Sequence, residues 1–129
     1  MKAKRLPINL YRHNDRLVLT SPAPGFEPSN FRIEVTGRRL SVAEDARGPG
    51  QERISYLRKE WTTGPYQRTV TLPAPVDATR ANATYDNGVL VVILPVASKG
   101  KAGRITMSKV GTAKGQRIRH AGYDLRQKS

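Results

Sequence analysis

The segment Ala81–Val96, ANATYDNGVLVVILPV, sets a sharp turn directly before an apolar run that ends at a proline. Asn87-Gly88 favours positive φ at both positions, as a two-residue type I′ hairpin requires. The strand that follows is apolar on both faces, through Val89, Val91 and Ile93 on one and Leu90, Val92 and Leu94 on the other. Such a strand is either central in a sandwich or covered by a second partner, so we expect this hairpin to anchor the domain.

Short apolar runs with a period of two residues precede this hairpin. In FRIEV, for example, Phe31, Ile33 and Val35 share one face of a half-buried strand. Comparable runs occur in INLYRH, RLVLT, RRLSVAE, RISYLRKEW and YQRTVTLP, and a short helical turn is one interpretation of the residues after Val76. The pattern predicts about eight or nine strands and no long helix. We therefore expect an all-β antiparallel sandwich or barrel, because parallel strands would need long crossover connections.

The net charge of +13 over 129 residues is concentrated at the two ends of the chain. Residues 99–129 hold nine Lys and Arg against Asp124 alone, a net of +8, whereas residues 7–98 hold eleven against nine acidic residues. The end beyond Ala97 also lacks a stable apolar period, so it cannot bury enough surface to offset its ordering entropy. We predict a short basic arm over residues 1–6, one domain over residues 7–97, and a flexible, disordered basic C-terminal extension over residues 98–129.

Several classes of function are disfavoured by what the sequence lacks. Cysteine is absent, and no apolar run reaches the roughly 18 residues that a membrane span needs. The N-terminus lacks the apolar middle of a signal peptide, so the protein is expected in the cytoplasm with no membrane partner. No glycine-rich phosphate-binding motif occurs, and the two histidines, His13 and His120, fall on a predicted hairpin edge and in the extension. We therefore expect no enzyme activity, no metal and no cofactor.

Three segments, in order, resemble motifs of one known family. ATYDNGVLVVILPV is similar to the C-terminal signature of the small heat-shock protein, or α-crystallin, family, at positions Ala83, Asn87, Gly88, Val89, Leu90, Leu94 and Pro95. LVLTSPAPGFEPSNFRIEVTGRRLSV resembles the family's Pro-Gly-Phe segment, and ERISYLRKEWTTGPYQRTVTLPAPVD resembles the stretch with the family's arginine, here Arg68. The resemblance spans residues 7–96. It implies an immunoglobulin-like β-sandwich, the α-crystallin domain, that acts as an ATP-independent holdase chaperone and keeps unfolded or misfolded client proteins from aggregating.

The resemblance also implies a homodimer or a small homo-oligomer. A loop of one subunit would reach across and extend the sheet of its neighbour, through Arg53, Ile54, Tyr56 and Leu57, with Arg68 near the interface and paired with acidic groups. In an alternative interpretation Tyr56 and Leu57 are ordinary core residues of their own subunit. The predicted arm of residues 1–6 is shorter than is usual in the family, so we expect small assemblies that hold clients less effectively than relatives with longer arms.

A peptide-binding groove is implied between the strands Phe31–Val35 and Ala81–Tyr85. Its expected lining is Phe31, Ile33, Val35, Ala81 and Ala83, of which the small alanines leave room for an apolar peptide. In the extension, Ile105 and Met107 form an imperfect match to the family's Ile-x-Ile motif and would be the groove's own ligands. The alternatives are alanines that simply fit a tight sheet, and stray apolar residues within a disordered tail.

Two other functions fit the sequence. The basic extension would attract polyanions through screened, sequence-independent forces, and the domain would then be a dimeric scaffold for weak nucleic-acid binding. A solvated tail that only keeps the protein soluble explains the same charge. The remaining possibility is an adaptor domain of the related co-chaperone sandwich type, which lacks the loop strand that Arg53 to Leu57 would form here.

Overall fold

A computed structural model describes residues 3–45, 55–60 and 64–107 of the chain. Within these residues, nine strands form two sheets, and their bounds are β1 Lys4–Arg5, β2 Asn9–His13, β3 Arg16–Pro22, β4 Phe31–Thr36, β5 Arg39–Glu44, β6 Tyr66–Thr71, β7 Asn82–Asp86, β8 Val89–Pro95 and β9 Gly103–Ile105. The larger sheet has the order β1-β6-β5-β4-β9, and the smaller has the order β2-β3-β8-β7. All neighbouring strands are antiparallel except β1 and β6. The predicted all-β sandwich is confirmed.

The β7–β8 hairpin has the turn that its sequence predicts. Asn87 and Gly88 have φ values of 51° and 76°, the positive pair that a type I′ turn needs. β8 lies between β3 and β7, so both of its main-chain edges are paired. The inward side chains Leu90, Val92 and Leu94 are 0% exposed. The second strand of the hairpin is therefore an interior strand of the smaller sheet.

The main apolar core lies between the sheets, and it follows from the alternation of apolar and polar residues along the strands. β4 and β5 turn Ile33, Val35, Leu40 and Val42 inward and their polar residues outward. β3 adds Leu17 and Leu19, and the largest core cluster continues through Leu72, Val76 and the inward residues of β8. Burying one such side chain stabilises the fold by roughly 1.5–3 kcal/mol. The expected helical turn is also present, as a short 3₁₀ helix over Ala78–Arg80.

The N-terminal end differs from the arm expected over residues 1–6. β1 pairs in parallel with β6, and the side chain of Leu6 is 1% exposed within the core. The Lys4 amide donates to Pro65 O at 2.9 Å and the Leu6 amide donates to Gln67 O at 3.2 Å. A strand of two residues is too short to produce a period, so only the single apolar Leu6 marked it in the sequence.

The C-terminal end differs in the same way from the disordered extension expected over residues 98–129. Gly103–Ile105 forms β9, and isolated bridges involve Lys101 and Met107. Residues 108–129 lie outside the described part of the chain. The free edge of β4 allows these polar residues to add a hydrogen-bonded strand to the larger sheet. Composition alone does not reveal that such an edge is present.

The segment RISYLRKEW, expected to be a strand, is described only from residue 55 to residue 60, and those residues contain no strand. Arg53, Ile54 and Trp61 lie outside the described residues. In the part of the chain that is described, no helix has both the length and the apolar character needed to cross a membrane.

Candidate functional site

The groove residues come together at one side of the sandwich, where β4 of the larger sheet lies near β7 of the smaller sheet. Ile33, Val35 and Ala83 are buried in the main core cluster, and Phe31 and Ala81 are half-buried against it. β4 and β7 carry four of these side chains on the inward face because apolar and polar residues alternate along them, and Ala81 directly precedes β7. All five residues of the predicted lining therefore contribute to the same apolar cluster.

The chain's own residues 103–107 occupy this groove. Ile105 pairs with Ile33, Arg104 with Glu34, and Gly103 with Val35 in the β4–β9 ladder. Two residues beyond Ile105, Met107 forms a parallel bridge with Ala83 on the other sheet, so the segment spans both sheet edges. The side chain of Ile105 is 4% exposed, and Met107 packs half-buried against the core. We call residues 103–107 the groove segment.

Hydrogen bonds immediately before the groove segment fix its direction. The Lys101 amide donates to Val76 O at 3.0 Å, and the Ala78 amide donates to Lys101 O at 2.8 Å. Asp77 caps the 3₁₀ helix by accepting from the Thr79 amide at 2.9 Å, and the Thr79 side-chain hydrogen bond lowers the pKa of Asp77. The segment is therefore held at its start by main-chain bonds and in its middle by burial of Ile105.

The predicted dimer loop presents two large apolar side chains to solvent. Tyr56 is 43% exposed and Leu57 is completely exposed, so neither belongs to the core of its own subunit. The ammonium group of Lys59 lies 5.1 Å from the centre of the Tyr56 ring. Arg53 and Ile54, the other two loop residues of this prediction, lie outside the described residues.

Arg68 lies on β6 at the side of the sandwich opposite the groove. Its Nη1 donates a hydrogen bond to Leu6 O at 2.9 Å, which ties β6 to the residue after β1. Pairing of Arg68 with acidic groups near a dimer interface, which the resemblance implies, stays a prediction.

The five-residue strand β2 has an open outer edge among the described residues. β1 covers β6 and the groove segment covers β4, whereas the outer edge of β2 carries no strand. A surface cavity of about 200 Å³ lies at the start of this edge, with Pro7, Ile8, Pro22 and Val89 as its apolar lining. An open strand edge is able to pair with another chain.

A buried hydroxyl organises the loop before β4. The Tyr85 hydroxyl donates to Ala23 O and accepts a hydrogen bond from the Phe26 amide at 3.3 Å. The ring of Tyr85 lies 5.1 Å from the ring of Phe31, at the end of the groove. The loop that carries Phe26 is thereby held against the same cluster that Met107 contacts.

Two residues near these sites were missed from the sequence. Leu6 falls in the predicted arm, and only its apolar character before Pro7 indicates burial. Glu44 falls at the end of the predicted strand RRLSVAE, and the alternation of Leu40 and Val42 continues to it and places it on the inward face. Among the described residues, no three histidine, cysteine or carboxylate side chains gather as a metal site would.

The fold and its sequence are similar to known proteins of one kind. The model of the Hsp20/alpha crystallin family matches residues 10–108. The chain is 29% identical over 114 residues to an 18 kDa heat shock protein of Streptomyces albus G, covering 87% of this chain and 77% of that protein. It is 31% identical over 117 residues to a 19.0 kDa class II heat shock protein of Oryza sativa subsp. japonica, covering 81% and 67%.

Solved structures agree on the fold. Heat shock protein 16.0 from Schizosaccharomyces pombe superposes with a TM-score of 0.62 at 23% identity, over 74% of this chain and 69% of that one. The hspA protein from Xanthomonas axonopodis superposes with a TM-score of 0.58, over 74% of this chain and 96% of that one. With the family match covering most of the described residues, the chain belongs to the Hsp20/alpha crystallin family, the small heat shock proteins.

Proposed function

We propose that this protein is an ATP-independent holdase, which binds extended apolar segments of partly unfolded proteins and so prevents their aggregation. Its membership of a family of chaperones supports this role. The observation that carries the proposal is the groove between β4 and β7, in which the chain's own residues 103–107 lie as an extended segment with Ile105 buried. A surface that holds one extended apolar segment is suited to holding others of the same kind.

Low selectivity follows from the way the groove holds its segment. Strand addition draws much of its affinity from main-chain hydrogen bonds, which almost every sequence can make. Side-chain selection is confined to the two apolar positions that Ile105 and Met107 occupy, and the flexible thioether of Met tolerates irregular contacts. We infer that the groove accepts many unfolded chains with apolar side chains two positions apart.

The proposed action is mass action on non-native chains and involves no bond-making chemistry. A holdase lowers the free concentration of the aggregation-prone form, since it binds that form and not the native one. The groove segment competes with clients as an intramolecular ligand, so the groove is available only in the fraction of molecules whose segment is detached. Detachment of the segment would therefore increase the apparent affinity for clients.

We further propose that two subunits join through the exposed loop and the open edge of β2. The support is the complete exposure of Leu57, the exposure of Tyr56, and the open edge among the described residues. An apolar loop and an unpaired strand edge on one subunit complement the same features of a second copy. Arg53, Ile54 and Arg68 complete the proposed interface on the basis of the sequence alone.

The holdase proposal is tested by light scattering of a thermolabile client enzyme during heating. We expect an equimolar amount of the full chain, without nucleotide, to suppress the scattering. A chain that ends at residue 107 serves as the comparison, because it retains the groove and its segment but not the remainder of the basic extension. The proposal would be contradicted if neither the full chain nor the shorter chain reduced the aggregation of the client.

A second function, polyanion binding by the basic extension, is favoured by the net charge of +8 over residues 99–129. Binding to a nucleic acid through released counterions should fall steeply as salt rises. A chain that ends at residue 107 keeps only three of the nine cationic residues in this range, Lys99, Lys101 and Arg104. Loss of affinity in this shorter chain would support the extension as the binding element, and retained affinity would exclude it.

A further inference from the structure

Glu44 lies inside the sandwich at the end of the larger sheet. It is the last residue of β5, and its side chain faces inward in line with Leu40 and Val42. Its direct neighbours across the sheet are Phe31 on β4 and Tyr66 on β6. Residues directly opposite each other in a sheet have Cβ atoms about 5 Å apart, so Glu44 stands between two aromatic side chains.

The same aromatic side chains join Glu44 to the end of the groove segment. The ring of Phe26 lies 6.1 Å from the ring of Phe31 and 6.2 Å from that of Tyr66, so it spans the two residues that flank Glu44. Met107 packs against the cluster that contains Phe26. The surroundings of Glu44 and the seat of Met107 are therefore parts of one packed unit.

The carboxyl group of Glu44 is buried and has no hydrogen-bond partner among the described residues. Glu44 is 0% exposed, and both of its carboxyl oxygens are inaccessible and unpartnered within that part of the chain. An ionised carboxylate in such a place is costly unless it is paired. Burial accordingly raises the pKa of Glu44 to about 7.

Other charged or titratable groups on the surrounding elements do not neutralise it. They are Tyr66 and Arg68 on β6, Tyr85 and Asp86 on β7, Lys4 and Arg5 on β1, Arg32 and Glu34 on β4, Arg39 at the far end of β5, Glu27 before β4, and Asp45 directly after β5. Arg68 donates to Leu6 O, and Asp45 pairs with Arg32 at 2.8 Å on the exposed side of the sheet. Desolvation is the cause that raises the pKa of Glu44, and no charge among the described residues offsets it.

We propose that Glu44 makes the closure of the peptide groove by the groove segment pH-dependent. While the side chain of Glu44 is neutral, the aromatic cluster around Phe26 packs against Met107. Ionisation of Glu44 favours an open form in which the groove segment is detached. Opening separates the aromatic cluster and admits water to the carboxylate. It also uncovers Ile33 and Ala83, the residues that pair with Ile105 and Met107. The expected effect of opening on client binding rests on the proposed holdase function, whereas the pH-dependent opening itself does not rest on it.

The direction of the effect follows from the two protonation states. Glu44 in the closed form holds its proton up to a pKa of about 7, whereas in the open, hydrated form it returns toward the ordinary value of 4.5. The closed form is therefore favoured at low pH and loses this advantage as pH rises through 7. For these two values, linkage predicts an increase of about tenfold in the opening equilibrium between pH 6 and pH 8.

Amide hydrogen exchange of the full chain, measured without client, tests the proposal. After correction for intrinsic exchange rates, the protection of residues 101–107 should fall about tenfold between pH 6 and pH 8. Glu44→Gln, which is similar in shape and does not titrate, should remove this dependence. Asp15→Asn, in the exposed turn between β2 and β3, is the matched control and should retain the wild-type response.

A direct NMR titration of the Glu44 carboxyl carbon tests whether Glu44 ionises near pH 7 in the folded chain, even if Glu44→Gln fails to fold. A midpoint near pH 7 is expected, and a midpoint near the ordinary value of 4.5 would overturn the proposal. It would also be overturned if protection in β8 depended on pH while that of residues 101–107 did not, because Glu44 would then be exposed only by global unfolding. Since no client is present, absence of holdase activity in the scattering assay leaves these outcomes unaffected.

Discussion

Ile105 lies directly opposite Ile33 in the ladder between β9 and β4, and the two side chains are 4% and 1% exposed. A residue of the C-terminal extension thus completes the core at the groove. Because no other residue of the groove segment is as deeply buried, this contact is the main apolar anchor of the segment, and Met107 adds a half-buried second contact.

Replacement of Ile105 by Ser should release the segment and make the groove available. Loss of a buried Ile side chain typically costs about 2–5 kcal/mol, which is enough to populate the detached form. We expect the affinity of the full chain for a fluorescent peptide of sequence KAGRITMSK, residues 101–109, to increase at least about tenfold, since the internal competitor is lost.

Thr106→Ala is the matched control for this measurement, because Thr106 is exposed between the two anchors. Its peptide affinity should equal that of the wild-type chain. An equal affinity in Ile105→Ser would mean that the segment does not compete for the groove.

Replacement of Leu57 by Ser should weaken self-association without destabilising the subunit. Leu57 is completely exposed in the isolated subunit, so the free energy of unfolding of a monomer should change by less than about 0.5 kcal/mol. If Leu57 is buried against a second copy, its loss removes roughly 1.5–3 kcal/mol of binding free energy. The dimer dissociation constant, measured by sedimentation, should then rise about ten- to a hundredfold.

Arg58→Ala is a suitable control for Leu57→Ser, since Arg58 is an exposed neighbour paired with Glu60 across 3.4 Å. It removes a solvated ion pair and no apolar surface. Equal dissociation constants for wild type and Leu57→Ser would show that Leu57 is not part of the interface.

The longer strands of the sandwich could be predicted because apolar and polar residues alternate along them. β4 and β5 alternate over six residues each, and the Asn87-Gly88 turn fixes the register of β7 and β8. In these places local propensity, the apolar period and tertiary burial agree. The expected central position of β8 followed from the same agreement.

The ends of the chain and Glu44 could not be predicted in the same way. β1 has two residues and β9 has three, so neither shows a period, and each is stabilised by an edge that another strand provides. The low apolar content of the extension predicts disorder from residue 98 onward, yet Ile105 needs only the existing edge of β4 to form a strand. Glu44 breaks the rule that inward positions are apolar, and such exceptions are visible only when the period is followed to its last residue.

Tyr85→Phe should destabilise the domain by about 1–3 kcal/mol, because it leaves Ala23 O and the Phe26 amide without their buried partner. The measurement is urea unfolding of the full chain. Tyr56→Phe is the matched control, since Tyr56 is exposed and its hydroxyl is accessible to water. Equal unfolding midpoints for the two variants would show that the Tyr85 hydroxyl does not stabilise the loop before β4.

The stability of the whole domain should depend on pH through Glu44. Its pKa in the folded chain, about 7, lies above the ordinary value of 4.5, so its favourable contribution is complete below pH 4.5 and is lost as pH rises through 7. Linkage at 1.36 kcal/mol per pKa unit gives a loss of about 2–3 kcal/mol between pH 5 and pH 8. Urea unfolding at these two pH values should show that the wild-type chain loses this much relative to Glu44→Gln. A difference between the two chains that is constant with pH would mean that Glu44 ionises in the folded protein as it does in water.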